Sequence, residues 1–218
     1  MSILCVGSVA LDSVETPFGQ ADRVLGGSAV YFTAAATVFS PVQVVGVVGD
    51  DYPLKDLDFL TARGADLTGI ERADGESFFW AGRYHYDLNT RDTLETKLGV
   101  FADFQPKIPE SFRDARYAAL QLDVLDQVAA PEVVACDTMN FWIEGARDRL
   151  LELLGRVRIL MVNDEEVRQL AGLPNLLQAA RWVQERGPEV VIVKKGEHGA
   201  ILFAPDWIFY VPGYPLEE

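Results

Sequence analysis

Short apolar runs of strand type alternate with segments of helical period along most of the chain. Residues 3–10 (ILCVGSVA) read as a buried strand, 28–39 (SAVYFTAAATVF) as a helix and 42–49 (VQVVGVVG) as a second strand. A helix over 54–63 leads through RGAD to a short strand near 67–71. After Pro109 the rhythm resumes, with strands at 118–122, 133–136, 159–163 and 190–194 and helices over about 143–154, 164–171 and 176–186. This alternation predicts an α/β protein with a mostly parallel sheet covered by helices.

One stretch departs from the rhythm. Across 77–87, Phe79, Ala81, Arg83, His85 and Asp87 face one way, while Phe78, Trp80, Gly82, Tyr84 and Tyr86 face the other. Strict alternation with aromatics on one side predicts an antiparallel strand with one covered face. The stretch 14–26 (VETPFGQADRVLG), with its Pro and Gly turn signals, is placed to pair with it. Together they form a small flap outside the main sheet. No linker, repeat or low-complexity segment interrupts the chain, so the flap reads as inserted in one domain.

Charge narrows the partners. Nineteen Lys and Arg stand against 33 Asp and Glu, a net charge of -14, and no segment gathers the basic residues into a stripe. Nucleic acid is excluded as a main partner. Cys5 and Cys136 each sit in an apolar run and read as small buried hydrophobes, which fits a reducing cytoplasm. With His85 and His198 the only histidines, a zinc site is not expected. The first residues lack a basic n-region, and nowhere do 18 apolar residues run together, so no membrane association is expected.

Parallel α/β sheets bind ligands where strands end and helices begin. Asp12 follows the first predicted strand, either as a turn cap or as an acceptor for ligand hydroxyls. Gly26 and Gly27 precede a helix, where missing side chains make either a flexible turn or an approach for a polar ligand to backbone amides. Neither GxGxxG nor GxxxxGK[ST] occurs in these places, which disfavours the dinucleotide and P-loop folds and an oxidoreductase. VGVVGDD (45–51) closes a strand with two acids. VNDEEV (162–167) puts Asn163 and Glu166 on an opening helical turn, as a capping box or as acceptors holding a hydrated magnesium ion.

In this order, GSVALD, GGSAVYFTAAAT, VGVVGDD, CDTMNFW, VNDEE and VVIVKKGEHGA resemble the ribokinase-like (PfkB-type) carbohydrate and nucleoside kinase family over essentially the whole chain. The resemblance implies a three-layer α/β/α fold, one domain over 1–218, and a small inserted β lid from segments of about 13–25 and 75–104. It implies transfer of the ATP γ-phosphate, with Mg2+, to a sugar hydroxyl, or alternatively to a nucleoside. Asp12, Gly26 and Gly27 match the family's sugar pocket, and Arg83 and Tyr84, with Tyr86 and Asn89, belong to the lid, which also suits a homodimer. Asn163 and Glu166 match the NxxE element, Glu166 meeting the metal through water. Lys195, Gly196 and Gly199 match a nucleotide-side strand and turn, and Asp137 and Asn140 line the cleft.

The family's D-x-x-G-A-G-D stretch, whose amides make an anion hole and whose last Asp is the catalytic base, is absent from these residues. The catalytic Asp is expected beyond Glu218, the C-terminal part of the fold is read as missing, and the residues present are expected to be inactive alone. Losing a general base costs about 10²- to 10⁴-fold. Asp50 and Asp51 lie in the wrong element to replace it. A non-catalytic polyol-binding module is the remaining alternative.

Overall fold

The first apolar run does not stay in one strand. In the computed structural model, which describes residues 2–120 and 124–215, β1 (Ile3–Val6) ends four residues earlier than its hydrophobicity suggests. Gly7 still donates to the Val45 carbonyl at 3.2 Å. A side chain there would stand 2.9 Å from Ser28 Oγ, so the start of the following helix crosses over this point and the chain leaves the sheet. It resumes as β2 (Ala10–Thr16) in a different sheet, which places Asp12 inside a strand rather than in a turn.

The described residues gather into two compact units, 2–119 with 124–131, and 120 with 132–215. In the first, β4 (Val42–Val48) pairs in parallel with β1, and β5 (Ala65–Arg72) in parallel with β4. On the other side of β1 lies β8 (Tyr117–Leu120); the rest of its predicted span, 121–122, falls outside the described residues. Helix α1 (Ser28–Ala36) buries Ala29, Val30, Thr33 and Ala36, the one-sided spacing that packs a helix on a sheet. The predicted helix over 54–63 is a 3-10 turn, Leu54–Leu57, followed by α2 (Asp58–Ala62), which together bury Leu57 and Leu60.

The two flap stretches form one sheet. β3 (Gly19–Gly26), β2, β6 (Phe78–Tyr84) and β7 (Arg91–Lys97) lie in that order. β2 and β3 make an antiparallel hairpin whose turn is held by Thr16 Oγ1, which accepts the N–H groups of Phe18 and Gly19 at 3.1 Å each. β6 runs antiparallel to β7, as its alternation suggests, but parallel to β2.

In the second unit β9 (Val133–Asp137), β10 (Ile159–Asn163) and β11 (Val190–Lys194) are parallel neighbours, and β12 (Ala200–Phe203) and β13 (Ile208–Val211) add antiparallel strands beyond β11. The predicted helix over 143–154 is two helices, α3 (Asn140–Gly145) and α4 (Arg147–Leu154). Ala146, at φ -140° and ψ 35°, breaks them apart. α5 (Asp164–Ala171) buries Val167 and Leu170, and α6 (Leu176–Gln184) buries Ala179, Ala180 and Val183. No helix among the described residues is long and apolar enough to cross a membrane.

Candidate active site

Asp12 stands in the middle of β2, opposite Val24 of β3 and Trp80 of β6. Its carboxyl lies directly on Gly26, where a Cβ would overlap it. The bare backbone at 26 therefore seats a carboxylate of the same chain, and a ligand would meet that carboxylate before it met the glycine. Gly27 has a related reason. At φ 94°, any Cβ would run into the Ser8 carbonyl and stand 2.8 Å from Ala10 N. The opening amides of α1 are also engaged: Ser28 N–H donates to Ser8 Oγ and Ala29 N–H to Ser8 O, both at 3.0 Å. Within the chain itself, then, Gly26 makes room for Asp12 and Gly27 for the close approach of residues 8–10.

Burial pushes the Asp12 carboxyl up to about 6, and among the described residues no hydrogen-bond donor reaches it. An acceptor withdrawn from water without a donor is an unstable arrangement unless something else supplies the donors. Tyr31, on the outward side of α1, belongs to the same neighbourhood. Its phenol donates to the Leu25 carbonyl at 3.1 Å and is held above its usual range by burial, then by Asp12 and Tyr84. Sequence reading missed Tyr31 because it sits inside an apolar helical run; its place opposite the buried Ala29, Val30 and Thr33 was the available signal.

Strand alternation sorts the flap residues. Trp80 and Tyr84 share the face of Asp12, and the Trp80 indole lies over Gly82, where a side chain would collide with the ring. Arg83 points to the other face. Directly opposite Glu15, it donates from Nε to the Glu15 carboxylate at 2.7 Å, so the structure does not bring it to Asp12.

The two acids of VGVVGDD have structural work. Asp50 accepts from Gly75 N–H at 3.2 Å, and Asp51 accepts from Ser77 N–H at 2.8 Å and Ser77 Oγ at 2.7 Å while pairing with Arg23. Burial opposes the Asp51 charge, but these bonds from Ser77 and Arg23 hold its carboxyl below the usual range.

In the second unit the capping box is realised in full. Asn163 Oδ1 accepts Glu166 N–H at 2.7 Å, and a Glu166 carboxylate oxygen accepts Asn163 N–H at 2.8 Å, with Glu166 only 5% exposed. Asn163→Ala is expected to lower stability by about 1 kcal/mol through the lost cap, read as a fall in melting temperature. At the neighbouring strand end Asp137 accepts from Lys194 Nζ at 2.9 and 3.0 Å and from Thr138 N–H at 2.9 Å. Lys194 is in register with Asn163, so the carboxyl ends of β9, β10 and β11 hold Asp137, Asn163 and Lys194. Lys194 was missed because the resemblance points to Lys195, which instead opens the turn Gly196–His198, its N–H bonded to Gly199 O at 2.8 Å. Gly196 adopts φ 54° in that turn, and Gly199 is bare because the 211–213 backbone passes against it. Asn140 lines a separate open groove of about 590 Å³, with Glu144, Arg168 and Gln169.

Residues 117–218 match the pfkB family carbohydrate kinase. The chain is also 26% identical to the cytidine kinase of Thermococcus kodakarensis over 214 residues, spanning 93% of this chain and 76% of that one. Over these spans the chain is similar in sequence to carbohydrate and nucleoside kinases of this kind. Solved structures share its fold throughout. An adenosine kinase from Sinorhizobium meliloti superposes with a TM-score of 0.75 at 16% identity, covering 100% of this chain and 81% of its own. An E. coli ribokinase-II-type protein in complex with ATP and Mg2+ gives 0.73 at 19% identity, covering 100% and 80%. Among the described residues, no group of three or more acidic, His or Cys side chains is poised to hold a metal ion.

Proposed function

We propose that this ribokinase-like chain takes part in ATP-dependent phosphorylation of a sugar hydroxyl, with Asp12 binding the acceptor. The observation that carries the reading is the Asp12 carboxyl itself: half-buried on Gly26, pushed up to about 6 by burial, and reached by no donor among the described residues. Sugar hydroxyls are the donors that such a carboxylate lacks. Tyr84, on the same face, and Gly26, beneath the carboxyl, belong with it in this acceptor site. Gly27 and Arg83 support it only indirectly, by holding α1 and the flap sheet in place.

Bound ATP supplies the phosphoryl group, and Mg2+ offsets the charge on its phosphates. Lys194 and Lys195 fit phosphate oxygens by charge, and the 196–199 turn with Asn163 extends that nucleotide site. Glu166 is already committed to its cap, so a metal ion beside it would be held through water. Residues 1–218 contain no D-x-x-G-A-G-D stretch, and we assign them recognition of acceptor and nucleotide rather than the base. The exposed Phe18 and Tyr86 rings, 5.4 Å apart at the flap tip, support pairing of two copies through that sheet.

A nucleoside acceptor is the second reading. It is favoured by the cytidine kinase relative and by the flat Trp80 indole on the Asp12 face, a surface on which a base would stack. Thermal melts with ribose, fructose, other hexoses, cytidine and adenosine decide between them. Stabilisation by free sugars is expected on the first reading, and stabilisation by nucleosides alone would transfer the assignment to the second. A chain that responds to none of them has no acceptor site at Asp12.

A further inference from the structure

Lys194 closes β11, yet its side chain does not run on past that strand end. Its Nζ donates to the Asp137 carboxylate, 2.9 Å from Oδ2 and 3.0 Å from Oδ1, and Asp137 closes β9 on the far side of β10. Two strand spacings come to about 9–10 Å, so the lysine stem lies across β10. The register says where. Asp137 is level with Met161 and Lys194 with Asn163, and those two positions of β10 are two residues apart, hence on one face of the sheet. The bridge therefore crosses the carboxyl end of β10, beside the Asn163 that caps α5.

Asp137 is itself oriented, because its Oδ1 accepts Thr138 N–H at 2.9 Å while both of its oxygens face the ammonium. The pair is nevertheless open to water, with 46% of the Lys194 side chain and 33% of the Asp137 side chain exposed. At that exposure an ion pair contributes little to stability, since water competes for both charges. It keeps the lysine in one place without holding it hard. A phosphate oxygen on the same ammonium would gain a charge-assisted hydrogen bond of its own and would bring a second negative charge close to the carboxylate. Two anions do not share one exposed ammonium without cost, and the more highly charged one displaces the other.

We propose that the Asp137–Lys194 ion pair is a latch across the strand ends: Asp137 occupies Lys194 while the nucleotide site is empty, and a nucleotide phosphate takes the lysine from it on binding. This inference rests on the reading above that Lys194 meets phosphate oxygens. Asp137 then works as an internal competitor of the nucleotide and sets how tightly it is held. The same carboxylate takes the lysine back as the product nucleotide leaves, which favours release.

The test is titration calorimetry of ADP, with MgCl2 present, against the whole chain, Asp137→Asn and Lys194→Met. Asn keeps the size and an acceptor for Thr138 N–H and removes the charge. Asp137→Asn is accordingly expected to bind ADP about fivefold more tightly, the worth of an exposed ion pair read as an equilibrium constant. Lys194→Met is expected to bind it about tenfold more weakly. Unchanged or weaker binding in Asp137→Asn, beside that loss in Lys194→Met, overturns the latch and leaves the nucleotide site standing. Unchanged affinity in Lys194→Met overturns the latch and removes Lys194 from the site, and a wild type that binds no ADP overturns the nucleotide reading as well. Were Asp137→Asn to misfold, aspartate labelled at the side-chain carboxyl decides the same question: on ADP addition to the wild type the Asp137 signal moves toward its position in Lys194→Met, or the inference is wrong.

Discussion

Gly27→Ala is expected to destabilise the first unit by about 3–5 kcal/mol, the sum of a left-handed backbone forced on a non-glycine residue and a collision with packed atoms. The atoms in the way are backbone, the Ser8 carbonyl and the Ala10 nitrogen, and neither moves without shifting the link between β1 and β2. Relief would require α1 to back away from residues 8–10. That movement breaks the bonds by which Ser8 holds Ser28 N–H and Ala29 N–H. Gly64 provides the comparison, since it has nearly the same φ, 95°, with nothing within 4 Å of an added Cβ. Gly64→Ala should therefore cost only the conformational part, about 1–2 kcal/mol. Chemical denaturation of the two variants measures the difference, and equal losses would refute the close approach at Gly27.

Asp12→Asn is expected to weaken acceptor binding while raising stability at neutral pH. The binding loss should be about 1.5–3 kcal/mol, the worth of a hydrogen bond to a charged group. Calorimetry with the acceptor identified by the melts reads it, and undiminished affinity would remove Asp12 from the site. The stability gain follows from linkage. The folded carboxyl titrates at about 6 against 3.8 for an ordinary aspartate, so between those values the native state holds more protons than the unfolded chain. Stability then falls as pH rises through that window, and above it the ionised carboxylate is a constant burden. With solvent still reaching part of the group, that burden is about 1–2 kcal/mol. Wild type and Asp12→Asn should melt together near pH 4 and diverge in favour of the variant by pH 7. In the wild type, acceptor affinity should decline as pH drops below 6, because a protonated Asp12 gives up one acceptor. A variant less stable than wild type at pH 7 would show that Asp12 has a structural partner.

Stability given up at a position that binds is the ordinary signature of a functional site. The capping box at Asn163 and Glu166 behaves oppositely. Both of its hydrogen bonds are closed within the chain, so its first role is to start α5.

Where chemistry is local, the elements were legible. The span of α5 follows from an Asn, a Glu three residues on and a Gly at 172 in the left-handed conformation. The strands β9, β10 and β11 read as short apolar runs because each has to be covered, and the flap sheet showed through the period-two pattern of 77–87. The break after Val6 was not legible, because Ser8, Val9 and Ala10 are as buried as the residues of the strand before them. The break at Ala146 follows Gly145, but a single Gly inside a helical pattern does not by itself mark a helix end.

From its own order of residues, this chain determined an α/β rhythm, a separate small sheet, and the carboxylate and glycines of a candidate pocket, since periodicity and turn chemistry act over a few neighbours. Tertiary structure alone decided that Gly26 holds Asp12, that Arg83 faces away toward Glu15, and that Lys194 meets Asp137 at the strand ends. Those outcomes depend on which side chains meet across strands tens of residues apart, and on which of them lose water without gaining a partner. Spacing along a chain does not contain that information, because burial is a property of the assembled fold.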